Sequence, residues 1–309
     1  MPGPFEQSDI ILWQALRYGR PDGSHNIQTL TDMIKKLLPR DCGVHSDKAG
    51  NLWIEVGYYP STLFQAHLDD VSQDTSERDI FWTDSAHTTI ETNGKSILGA
   101  DDGAGIAILV AMILSGVPGI YLFSQGEESG SRGGHYAVDE FPYDLSDIQR
   151  CIAFDRRGST EICGMQHGSN LASHKFVDAL ADMLGLSHVW GEGTYTDNSL
   201  WADIIPEIVN ISVGYDNEHT FSETLNYEYF RTLRERACSI DWDALPVGVR
   251  DLKDTIQRNI LPQYTPGDAC YNALAEIEET LGYDLTYTQS EKILDIISQL
   301  AQRSEYATF

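Results

Sequence analysis

The chain is organised around Leu98–Gly105, Leu-Gly-Ala-Asp-Asp-Gly-Ala-Gly. This stretch joins a polar, alternating segment to a helix of almost unbroken apolar character, Ile106–Leu114. Small residues flank two adjacent carboxylates, so backbone can approach closely and an acid can point into a tight space. An Asp at a helix start commonly serves as an N-cap, and an isolated Asp-Asp pair would carry no more than that reading. The surrounding chain changes it: residues of metal-ligand type recur before and after the turn, each at the end of a predicted strand.

The strands are Asn51–Tyr58, Leu63–Ala66, Gly119–Ser124, Arg150–Phe154, Glu161–Met165 and Glu207–Val213, with Asp79–Thr83 and His87–Thr92 as a hairpin. Periodicity predicts helices at Ser8–Tyr18, Asn26–Leu38, Ser173–Leu184 and Leu225–Cys238, and a short one at Ser199–Asp203. Ser129–Gly134 reads as a glycine- and serine-rich loop, and Gly214–Thr220 as another. Strands alternating with helices, several of them apolar throughout, predict an α/β fold. The expected form is a three-layer α/β/α sandwich with a mixed, mostly parallel central sheet. After Leu245 the pattern changes to helices alone, at Val249–Ile260, Ala269–Leu281 and Ser290–Ser304. The expected organisation is a catalytic domain over 1–245 and a C-terminal α-helical extension over 246–309 that packs on the domain or mediates homo-oligomer assembly.

A formal net charge of -26 disfavours nucleic acid and anionic membranes as partners. The five cysteines are odd in number and show no C-x-x-C spacing, which argues against a disulfide framework and a cysteine zinc finger. The start, Met-Pro-Gly-Pro-Phe-Glu-Gln-Ser-Asp, lacks the basic and apolar regions of a signal peptide, and no stretch is long and apolar enough to cross a bilayer. The expected compartment is the cytoplasm.

His67 and Asp69 close one strand, Asp101 follows the next connection, Glu127 and Glu128 close a third strand, Asp155 a fourth, and His219 follows a fifth. Ligands of open α/β sheets bind beyond the carboxyl ends of the strands, so these side chains can converge on one crevice. Clustered carboxylates repel unless cations neutralise them. Histidines with carboxylates and no cysteine suit one or two borderline divalent ions such as zinc. Asp101, nearest the middle, is the expected bridge between two ions. His67 would ligate one ion, and Asp69, two residues on, would hold its imidazole by the other nitrogen. Glu127 and Glu128 cannot face the same way on a regular strand. One can be a ligand while the other stays free to take a proton from water and pass it to a leaving amine.

His67-Leu-Asp69, Gly99-Ala-Asp101-Asp-Gly-Ala-Gly105, Glu127-Glu128-Ser-Gly, Asp155 and His219-Thr-x-x-Glu223 stand in the order and context of the co-catalytic zinc exopeptidases, and the chain resembles that group from about Ser8 to Ala244. The group comprises M28-like aminopeptidases and the related M20 peptidases. The resemblance implies one zinc held by His67 and Asp155 and the other by Glu128 and His219. It also implies Asp101 as bridge, Glu127 as general base and Asp69 as orienter of His67. Cobalt or manganese are the alternative metals. M20 enzymes usually carry an inserted lid or dimerisation domain between the positions of Asp155 and His219. Here only about 60 residues intervene, which favours the compact M28-like plan.

The implied activity is hydrolysis of a terminal amide bond in a peptide or N-acyl amino acid substrate. An aminopeptidase is favoured over a carboxypeptidase or N-acyl amino acid deacylase, and both over a catalytically silent metal-binding protein. Asp102 reads as a helix-start acid or a ligand, and Glu223 as a cap or support for the His219 loop. Arg156 and Arg157 could bind a substrate carboxylate or balance the acidic cluster. Asp197 lines the pocket or caps a helix, and Tyr215 donates to an oxyanion or simply packs. The other seven histidines have no such context.

Overall fold

Side chains along the strands alternate between two apolar layers. Leu52, Ile54 and Val56 enter one core and Trp53 the other; Tyr121 and Phe123 oppose Ile120 and Leu122; Ile152 and Phe154 oppose Cys151. A period of two with apolar residues on both faces means a sheet covered on both sides, the three-layer arrangement. The computed structural model describes residues 2–141 and 147–248, which belong to one unit, Met1–Gly248. The helices expected after residue 248 lie outside the described residues.

In chain order the elements are α1 (Pro4–Arg17), α2 (His25–Leu37), β1 (Gly43–Ser46), β2 (Leu52–Val56), β3 (Thr62–His67), β4 (Ile80–Trp82), β5 (Thr89–Thr92), α3 (Ala100–Leu114), β6 (Gly119–Ser124), α4 (Arg132–Asp139), β7 (Arg150–Arg156), β8 (Glu161–Gln166), β9 (Ser169–Asn170), α5 (His174–Leu184), β10 (Val189–Gly193), β11 (Glu207–Ser212), β12 (Tyr215–Asp216), β13 (Thr224–Asn226) and α6 (Tyr227–Ala237). The main sheet has the order β1-β2-β6-β3-β7-β11-β8-β10, with β9 on β8. It is mixed, and its centre, β6-β3-β7-β11, is parallel throughout. The central strands therefore end on one edge.

Helix α3 explains its own composition. It packs between α1 and strands β3 and β7, and every residue from Ala100 to Ile113 is buried. A helix apolar all round has to be covered all round. The opposite face of the sheet is covered by α4 and the one-turn 3-10 helix Asp197–Trp201, through Ala137 and Trp201. Helix α4 begins inside the segment expected to be a loop. Its glycines serve close approach: a Cβ on Gly133 would meet Asn51 and the Gln125 carbonyl, and one on Gly134 would meet Asp197.

A second, antiparallel sheet, β12-β13-β5-β4, stands apart from the first. Strands β12 and β13 pair Tyr215 with Leu225 and Asp216 with Thr224. The segment expected to be a plain loop is thus a hairpin with His219 at its tip. Helix α6 starts after β13, capped by the Asn226 side chain, which accepts the Tyr229 N–H.

Candidate active site

The ends of β3, β6 and β7 and the β12–β13 hairpin bring six predicted residues around one cavity of ≈ 150 Å³: His67, Asp101, Glu127, Glu128, Asp155 and His219. Asp101 lies between the two imidazoles. Its Oδ1 is 2.9 Å from His67 Nε2, and its Oδ2 is 3.1 Å from His219 Nε2. Asp155 Oδ1 lies 3.5 Å from His67 Nε2, and Glu128 Oε1 lies 2.7 Å from His219 Nε2. The donor atoms of Asp101, Glu128 and His219 fall within 4.8 Å of one another, as do those of His67, Glu127 and Glu128. Among the described residues no other histidine joins such a group.

The donors are aimed at shared points more than at each other. His67 Nδ1 is 3.0 Å from the Asp69 main-chain carbonyl. Burial lowers His67, but Asp155, Asp101 and Asp69 outweigh it and hold the ring well above the usual histidine range, so a proton sits between Nε2 and Asp101 unless a cation takes its place. Glu128 Oε1 is buried without a hydrogen-bond donor, although His219 Nε2 is near, because the two are not aligned for a hydrogen bond. Two imidazoles, three acidic ligands and no cysteine form a donor set that fits borderline divalent ions.

Asp69 differs in detail from its expected role. The orienting contact on His67 comes from its carbonyl, while its carboxylate stands 3.7 Å from Nδ1. That carboxylate instead accepts the N–H groups of Gly126 and Glu127 at 2.9 and 3.1 Å and of Glu128 at 3.2 Å. One acid thus fixes both His67 and the two glutamates.

The turn carrying Asp101 is held from afar. Helix α3 is broken at its start: Asp101 (φ -79, ψ 106) and Asp102 (φ -109, ψ 38) are not helical, and the peptide between them is cis. The Glu223 carboxylate accepts the main-chain N–H groups of Leu98, Gly99, Ala100 and Asp101 at 2.8 to 3.1 Å. It supports the Asp101 turn as well as standing in the His219 hairpin. Burial pushes Glu223 up to about 7, against these donors. Asp102 accepts the Gly105 N–H at 2.9 Å and the His67 N–H at 3.1 Å, so it caps the first turn and ties it to β3. Behind the turn, buried Arg78 donates to the Leu98 carbonyl at 2.9 Å and Asp70 at 2.6 Å, and buried Arg20 to the carbonyls of Leu68 at 2.8 Å and Gly99 at 3.2 Å.

Asp155 is held by Thr196, whose hydroxyl donates to Oδ2 at 2.7 Å, and by Tyr215, whose hydroxyl donates to Oδ1 at 3.2 Å. The Asn210 amide brackets its main chain on both sides. Tyr215 therefore holds an acid. Asp197 is buried, accepts the Ser124 hydroxyl at 2.6 Å, and does not line the cavity. Thr196, not Asp197, occupies the N-cap position of the 3-10 helix. Thr196, Asn210, Arg20 and Arg78 have no local signature in the sequence, because each acts across long chain separations.

The electrostatics are those of crowded acids. Burial, then Asp155, Asp197 and Glu128, push Glu127 up to about 9, and burial raises Asp155 to about 6. Burial also raises Asp101, but the hydrogen bonds from His219 and His67 outweigh it and hold the carboxyl below its usual range. The neighbouring carboxylates of Asp101 and Glu128 raise His219 to about 11. His219 sits at φ 62, a left-handed conformation worth about 1 kcal/mol of strain in a non-glycine residue, held by the hairpin around it.

No protein-family model matches the chain, and no curated protein matches it. Solved structures do. The aminopeptidase PepT from Bacillus cereus ATCC 10987 superposes with a TM-score of 0.59 at 16% identity, covering 76% of this chain and 97% of that one. A tripeptidase from Staphylococcus aureus gives 0.58 at 16% identity, covering 77% and 97%. The Pyrococcus horikoshii TET1 peptidase gives 0.56 at 16% identity, covering 76% and 99%. This chain therefore has the α/β fold of these peptidases.

Proposed function

We propose that the cavity is the active site of a metal-dependent exopeptidase, and that the chain is an aminopeptidase. One observation carries the reading: the two oxygens of Asp101 face two different imidazoles, the arrangement of a carboxylate that bridges two cations. His67 and Asp155 would hold one ion, Glu128 and His219 the other, with zinc the expected metal and cobalt or manganese the alternatives. Bound ions would polarise the scissile carbonyl and lower the pKa of water. Glu127 lines the cavity between Asp155 and Glu128 in charge if not in contact, and its main chain is pinned by Asp69. Burial and the crowded acids push Glu127 up to about 9, and bound cations would offset that crowding; its carboxylate would then take the proton from the attacking water and return it to the leaving amine. Asp69 acts on the reaction through His67 and the loop of Glu127.

The likeness to peptidases in fold supports this reading. The same proposal takes 1–245 as the catalytic part and 246–309 as a helical extension through which copies of the chain assemble; the TET1 peptidase forms a tetrahedron or a large octahedral shell. It places the chain in the cytoplasm. Among the described residues no helix is long and apolar enough to cross a membrane. The test is hydrolysis of amino-acid arylamides by metal-loaded protein, with and without excess chelator, and with the substrate amine free or acetylated. Metal-dependent cleavage of free-amine substrates alone is expected. Cleavage confined to acylated amino acids, or unaffected by chelation, refutes the proposal.

A further inference from the structure

We infer that Arg156 forms a subsite for a substrate carboxylate beside the proposed metal ligands; the inference rests on the hydrolase reading and names what its substrate carries. Neighbouring residues of a regular strand point to opposite faces, yet Asp155 and Arg156 both line the cavity. A register shift makes this possible. Asn210 pairs with Ala153 and Ser212 with Arg156, so β7 holds one more residue than β11 between these pairs. Such a bulge re-aims the side chains that follow it. A second shift lies opposite. Gly191 pairs with Cys163 and Glu192 with Met165, which lets Cys163 and Gln166 reach the same cavity wall.

The guanidinium is held in place. Nε and Nη2 donate to Glu161 Oε2 at 3.0 and 2.7 Å, and Nη2 also donates to the Glu192 carbonyl at 3.2 Å. Glu161 itself is not part of the cavity wall. Nη1 has no hydrogen bond to any described residue. A clamped arginine with Nη1 uncommitted offers a positioned, charged donor to a carboxylate through that one nitrogen. Arg157 is a weaker candidate. Its side chain is 59% exposed and already paired with Glu218 at 3.1 Å, an arrangement that contributes little. Gly193 lies on the same wall, where a Cβ would meet Cys163 Sγ at 3.2 Å and Gln166 Cγ at 3.6 Å.

A substrate carboxylate has two sources: an acidic side chain on the residue being released, or the carboxyl terminus of a short peptide. The experiment separates them. Metal-loaded protein is assayed on glutamyl- against glutaminyl-4-nitroanilide, and on Ala-Ala against Ala-Ala amide. Calorimetry compares glutamate with glutamine, and alanine with alaninamide, as ligands. A preference of about tenfold or more in kcat/KM is expected in one arm, falling to within about twofold in Arg156→Gln. If that variant does not fold, Glu161→Gln releases the clamp from outside the cavity and should lower the same ratio. Ratios near one in both kinetic arms overturn the subsite and leave the hydrolase reading standing. No cleavage with retained carboxylate preference in binding overturns the hydrolase reading and supports the subsite. No cleavage and no preference in binding overturns both.

Discussion

Glu223 is the most exposed point of the argument, because one side chain holds the turn on which the site depends. Its two oxygens accept four main-chain N–H groups, from Leu98 and Gly99 on Oε2 and from Ala100 and Asp101 on Oε1. The residue is 1% exposed, so water cannot replace a lost acceptor. Glu223→Gln keeps the shape and turns one oxygen into an NH2 group facing two N–H donors. Two charge-assisted bonds disappear, and two buried donors are left without acceptors. Each such donor is worth about 1–3 kcal/mol, so the variant should lose about 3 kcal/mol of folding stability. On a domain of this size that lowers Tm by about 10 °C. Urea and thermal unfolding of the purified variant measure it, with metal content determined on the same samples. Because the Asp101 N–H is among the four, metal uptake should fall with stability. A loss below about 0.5 kcal/mol with full metal content would show that Glu223 does not hold the turn.

Asp101→Asn removes the charge between the two imidazoles and should reduce bound metal below two ions per chain, with turnover down at least about 100-fold, read by metal analysis and arylamide kinetics. Glu127→Gln should keep its metal and lose about 10²–10⁴-fold in kcat; retained turnover excludes Glu127 as the base. His188 tests the pH response away from the site. It is 6% exposed, its Nε2 lies 2.6 Å from the Tyr229 hydroxyl, its Nδ1 has no partner, and burial lowers its pKa to about 4. The unfolded chain binds this proton first, so the stabilisation is complete above the usual histidine pKa of about 6.5 and is lost as pH falls towards 4; it amounts to about 3 kcal/mol. Urea melts of wild type and His188→Gln between those limits should differ in pH slope, and equal slopes refute the assignment.

Sheet and site were legible in the sequence to different depths. Strand β6, Gly119–Ser124, was readable to the residue because it is an apolar run closed by turn residues. The convergence of the six candidate residues on one cavity was readable because ligand-type side chains stand at or just past the ends of β3, β6 and β7. Strand β1 was not: all four of its residues are exposed, so no alternation marks it. Strand β10 contains two glycines and sits at the sheet edge. Helix α4 was hidden because glycines that admit close packing look like glycines that end structure. The start of α3 was blurred by the break at Asp101 and Asp102, where tertiary bonds to Glu223 hold the turn ahead of the local cap from Asp102. Asn210, Thr196, Arg20 and Arg78 position the acids through contacts that no local pattern encodes.

The placement of positive charge separates scaffold from site. Arg20 and Arg78 are 1% and 6% exposed and lie behind the Asp101 turn. Their donors are committed to Asp70, Ser72 and the carbonyls of Ala15, Leu16, Leu68, Leu98 and Gly99. None of them reaches a cavity carboxylate. On the cavity side Asp101, Glu127, Glu128 and Asp155 face two imidazoles. A pair of like charges about 4 Å apart repels by about 4 kcal/mol near a protein surface, and several such pairs meet here. Arg20 and Arg78 fix the turn in space without discharging the cluster, and Arg156 and Arg157 on the cavity wall are paired with Glu161 and Glu218. Protons or cations from the cavity side meet the remaining imbalance, and two dications held by His67, Asp101, Glu128, Asp155 and His219 would meet it with the fewest particles. Moving a positive side chain into that space would relieve the same repulsion and should therefore compete with metal uptake.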